Sequence, residues 1–148
     1  MLKRLLDDYP VRSKQCDILH YVQTVTEKIS KALTTPPGSP DPPQMVHRAF
    51  LDFIRRARTN MQLQRVCGFG GHRQYGQYLQ SLDAIAREIE DLMPIKDRYH
   101  ANPEYPWEIK ASHRVIAPSE HYFGDLWNPA SPKMRKLRTF IESCIDIL

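Results

Sequence analysis

The sequence predicts an all-α fold, an antiparallel helical bundle of about four main helices with a long irregular, aromatic-rich connection before the last one. Three observations predict it. Four segments repeat apolar residues with a period of about 3.6, the signature of helices that bury one face. Glycine and proline clusters separate them. One stretch, from Ile95 to Ser131, shows little of that period.

The first segment runs from about Ser13 to Leu33 and sets Ile18, Val22, Val25, Ile29 and Leu33 in one arc, widened by Tyr21 and Ala32. The next ten residues, Thr34 to Pro43, hold five of the twelve prolines and exclude helix. A second helix is expected from about Pro43 to Arg65, with Val46, Phe50, Phe53, Ile54, Ala57 and Met61 along one face. Gly68-Phe69-Gly70-Gly71 stops it and permits a sharp reversal. The third helix, from about His72 to Met93, lines up Tyr75, Tyr78, Leu79, Leu82, Ile85, Ile89 and Leu92 before Pro94 ends it. The last begins at about Pro132 and carries Met134, Leu137, Phe140, Ile141, Cys144, Ile145 and Leu148. Within the aperiodic stretch, Trp107 to Ala111 alternates like a short strand, and Ser119 is expected to cap a short helix carrying Tyr122, Phe123 and Leu126.

Length and composition bound the rest. The 148 residues fit one helical domain, 1–148, standing alone or as an N-terminal domain or subunit of a larger assembly. That is long enough to bury a core without disulfides or metal. Hydrophobic residues at 41% and charged residues at 26% are ordinary for a globular chain and argue against wholesale disorder. No apolar run approaches the length of a membrane span, so no membrane partner is expected. Lys3 and Arg4 open like a signal peptide, but Asp7 and Asp8 interrupt before an apolar region forms. Cys16, Cys67 and Cys144 are odd in number and widely spaced, which points to reduced thiols and a cytoplasmic location. A net charge of +4 permits an acidic partner without demanding one.

The basic residues are uneven. The second segment holds Arg48, Arg55, Arg56, Arg58 and Arg65 against one acid, Asp52. On a single helix Arg48 and Arg55 point away from the apolar stripe, while Arg58 and Arg65 share a flank. Lys133, Arg135, Lys136 and Arg138 add charge to the start of the last helix. Arginine forks suit phosphate oxygens, so Arg48, Arg55, Arg58 and Arg65 are candidate nucleic-acid contacts. The alternative is a solvated face that keeps the chain soluble. The aperiodic stretch concentrates Tyr105, Trp107, Tyr122 and Trp127, which suit a partner surface or a satellite core in equal measure.

Other constellations are weaker. Cys16 and His20 lie one helical turn apart and Cys67 and His72 flank the glycine turn, but neither has zinc-ribbon spacing, so no metal and no cofactor is expected. The glycine turn lacks the Gly-Lys-Ser/Thr ending of a phosphate loop. Arg65 precedes His72, and Arg114 precedes His121, by seven positions. This arginine, six residues and a histidine is similar to the motif of the HEPN ribonucleases. Val66 and Val115 stand where that motif usually has a polar residue after the arginine. The resemblance covers eight residues at a time. It implies a metal-independent ribonuclease acting as a dimer, with His121 in acid–base chemistry on the 2′-hydroxyl and Arg114 holding the phosphate. The leading expectation is instead a non-enzymatic binding module with a basic helix face, engaging a protein, a nucleic acid or a second copy. A purely structural bundle is the third.

Overall fold

The computed structural model describes residues 13–36, 38–39, 49–92, 101, 103, 105–125 and 128–148. These residues are mostly helical: α1 (Ser13–Thr34), α2 (Ala49–Ala57), α3 (Met61–Val66), α4 (His72–Asp91) and α5 (Pro132–Ile145). Between α4 and α5 lie strands β1 (Trp107–Ile109) and β2 (Arg114–Ile116) and a 3₁₀ turn, Pro118–Glu120. No helix among the described residues is long and apolar enough to cross a membrane.

α4 and α5 begin where the punctuation places them. Ser131 caps α5 by accepting from the Met134 N–H (3.1 Å), and Pro132 occupies the first turn, where its missing N–H costs nothing. α3 ends in a paired closure in which Gly68 N–H donates to Arg65 O and Phe69 N–H to Gln64 O. Gly68 makes that closure with φ +79°, a conformation that other residues adopt at a cost.

The second expected helix is corrected. Its first part, including Val46 and Arg48, lies outside the described residues. The remainder is two helices, broken at Arg58–Asn60. Asn60 takes an extended backbone, and its side chain accepts from the Leu63 N–H at 2.9 Å, so it caps a new helix. The break turns Met61 out of the expected stripe to 57% exposure and buries Leu63 and Gln64 instead.

The core gathers around Phe140. Its ring meets Phe50 and Phe53 of α2 and Tyr78 of α4 at centroid distances of 6.3, 6.0 and 6.2 Å. Phe69, from the glycine turn, packs on Tyr78 at 4.9 Å and on Tyr75 at 5.8 Å. α1 contributes Ile18, Leu19, Val22 and Ile29, together with buried Thr26 and Ser30. Those two hydroxyls donate to the carbonyls of Val22 and Thr26 one turn back, so burying them strands no donor. Gln23 donates to the Ile89 carbonyl (3.3 Å) and ties α1 to the end of α4.

Two substitutions test this. Phe140→Ala should lower unfolding free energy by about 3–5 kcal/mol, read from the urea midpoint. Asn60→Ala should cost only about 1 kcal/mol, as loss of one helix cap.

Candidate functional site

β1 and β2 form an antiparallel hairpin with Trp107 opposite Ile116 and Ile109 opposite Arg114. Alternation sends Trp107 and Ile116 inward, to 6% and 9% exposure. Phe123 joins them, its ring 5.8 Å from Trp107. His121 lays its ring edge-on against Trp107 (5.0 Å) and Phe123 (4.8 Å) while remaining exposed to solvent. Gln15 of α1 fastens the segment, donating from Nε2 to the carbonyls of Pro118 and His121.

Trp107, expected as a partner contact, is therefore a core residue. Trp127 lies outside the described residues. Tyr105 and Tyr122 are exposed, and the Tyr122 hydroxyl donates to Asp125 Oδ1 at 2.6 Å. That bond and the adjacent carboxylate hold the phenol above its ordinary range. The short helix expected from Ser119 is a single 3₁₀ turn that follows Ala117 with no side-chain cap; Tyr122 and Phe123 lie beyond it, and Leu126 lies outside the described residues. Arg114 sits on β2 with a guanidinium nitrogen 3.8 Å from Glu120, and His121 follows the turn. The pair thus lies on a strand and a loop, not on one helix.

The arginines are rearranged by the break after α2. Arg55 is held by Asp52 (3.9 Å) and by Asp83 of α4 (3.6 Å), and Asp83 also accepts from Arg87 at 2.8 Å. Arg58 lies in the turn and Arg65 on α3, so the expected flank of one helix is shared between two elements. The larger signal is an absence of acids. Between Asp52 and Asp83 the sequence has no acidic residue and five arginines, 55, 56, 58, 65 and 73. All five are exposed, and among the described residues Arg56, Arg58, Arg65 and Arg73 have no acidic partner. A count of charge along the chain could have found this, because the arginines are spread over α2, the turn after it, α3 and the start of α4 and do not follow any one face.

The thiols are poor candidates for chemistry. Burial pushes Cys16 up, reinforced by Asp17, and burial pushes Cys67 up against the opposing hydrogen bond with Ser143. Cys144, beneath the core, is raised to about 12 by burial and by Cys67. Burial likewise raises the Tyr75 and Tyr78 phenols, and Tyr75 Oη has no hydrogen-bond partner among the described residues. Thiolate is the reactive and ligating form, so these sites disfavour both roles. No group of three metal-ligating side chains occurs among the described residues.

No family model, curated protein or solved structure matches the chain.

The raised groups make a pH prediction. In the unfolded chain the Cys144 thiol ionises near its ordinary value of 9.0, whereas in the folded chain it holds its proton to about 12. Above pH 9 the unfolded state binds fewer protons, so stability falls as pH rises through that window. The urea midpoint should drop between pH 9 and 11, and Cys144→Ala should make that drop shallower.

Proposed function

We propose that this chain is a non-enzymatic helical module that holds the phosphate backbone of a nucleic acid through Arg56, Arg58, Arg65 and Arg73. The observation that carries the reading is the acid-free run between Asp52 and Asp83, with four arginines that have no acidic partner among the described residues. Clustered cations of one sign attract a polyanion and release its counterions, whereas a merely solubilising surface intersperses both signs. Arg55 contributes less, because Asp83 and Asp52 already neutralise it. The exposed rings of Tyr105 and Tyr122 lie elsewhere in sequence, on the hairpin segment, and suit a protein neighbour in a larger assembly.

An antiparallel bundle is the scaffold that fits this role. The Leu51 N–H meets Glu90 at 3.1 Å and Arg55 meets Asp83 at 3.6 Å, which supports opposite directions for α2 and α4. The end of α2, the whole of α3 and the beginning of α4 then share one end of the molecule.

Affinity for a fluorescent nucleic acid should fall linearly on logarithmic axes as salt rises. The triple change Arg56→Glu, Arg58→Glu and Arg65→Glu should reduce that slope by about one for each phosphate contact removed, with circular dichroism unchanged. An identical slope and affinity in the triple variant would rule the reading out.

A further inference from the structure

We infer that the outward stripe of α4, Arg73, Gln77 and Gln80, enters the major groove of duplex DNA, where Gln77 and Gln80 read base edges beside the phosphate contact of Arg73. The inference rests on the proposed arginine contact to phosphate and deepens it, from backbone attachment to sequence recognition.

The stripe is built by the same periodicity that builds the core. Tyr75, Leu79, Leu82, Ala86 and Ile89 turn inward and are buried. Residues at spacing i, i+4 and i+7 on the opposite side share one face, and Arg73, Gln77 and Gln80 occupy it, all exposed. Glutamine pairs with adenine N6 and N7 through two hydrogen bonds, and Arg73 at the head of the stripe holds the phosphate beside the groove. Among the described residues, neither glutamine side chain has a hydrogen bond and Arg73 has no acidic partner, so their donors and acceptors are available. A face that only kept the chain soluble would gain more from carboxylates, which begin on α4 only at Asp83.

The flanks fit a phosphate-lined groove. Arg55 of α2 stands over Asp83 on one side of α4. On the other, Lys136 of α5 donates to Ser81 Oγ at 3.1 Å. Beyond Leu82 the helix carries Asp83, Glu88, Glu90 and Asp91, whose charge would repel a backbone, so the contact is confined to the first half of α4. A helix of about 10–12 Å diameter matches a B-form major groove of about 12 Å. A-form RNA duplexes present a major groove too deep and narrow to read. Single strands need stacking rings, and the aromatic beside the stripe, Phe69, is packed against Tyr75 and Tyr78.

Selection by the whole chain from a pool of random B-form duplexes, followed by anisotropy titration of the enriched and scrambled sequences, tests this. An enriched sequence should bind at least about tenfold more tightly than its scramble. Gln77→Ala with Gln80→Ala should erase that preference while leaving affinity for the scramble, and its salt slope, unchanged. Salt-dependent binding with no sequence enriched, or a preference that survives the double variant, would overturn the inference and leave the backbone reading standing. Tighter binding to single strands than to duplex would overturn it in the same way. Absence of binding to any nucleic acid would overturn both.

Discussion

The ring of Phe140 is the contact on which the remaining arrangement depends. It comes from the last helix in the chain, yet it meets Phe50 and Phe53 of α2 and Tyr78 of α4. The described part of α2 spans nine residues and α3 six, and isolated helical segments of such length are marginal in water. They persist because their buried faces close on α4 and α5. Removing the α5 surface would therefore release the segment that presents the arginines. In this sense the proposed basic surface depends on the core, because α2 and α3 hold their place only by burying their apolar faces in it.

The hairpin is attached by a different means. Its own pairing is short, three residues against three, and cannot stand alone in water. Trp107, Ile116 and Phe123 insert into the main core, and Gln15 supplies hydrogen bonds from α1 to the backbone of Pro118 and His121. Within the aromatic concentration that first suggests a partner surface, Trp107 and Phe123 are thus an anchor. Its outer residues, Tyr105 and Tyr122, are what the anchor leaves exposed. An exposed histidine resting edge-on against two buried rings is held in place by packing, and its nearest charged neighbour in sequence, Glu120, faces Arg114.

Much of the scaffold was legible from local chemistry. Gly71 before α4, the Ser131-Pro132 pair before α5, and the burial of Cys144 all follow from rules that act within a few residues. The break at Asn60 was hidden because the apolar spacing from Phe53 and Ala57 runs on to Met61, so the period gave no sign of interruption. Only the capping capacity of Asn60 betrays it. β2 was hidden because Arg114 and Val115 are both exposed and give no alternation. Gln15 was hidden because its partners lie more than a hundred positions away. The arginine candidates were legible as residue types, and a count of charge along the chain also groups Arg73 with Arg56, Arg58 and Arg65 in the acid-free run; what the sequence hid is that Arg55 is spoken for by Asp83 of another helix.

The most direct measurement is a backbone-amide NMR titration of the whole chain with a short mixed-sequence DNA duplex. Shift changes should concentrate from Arg56 through Gln80, with the hairpin and the second half of α4 nearly still. Changes confined to Trp107–Phe123, or no saturable change at low salt, would contradict a nucleic-acid surface built from the acid-free arginine run.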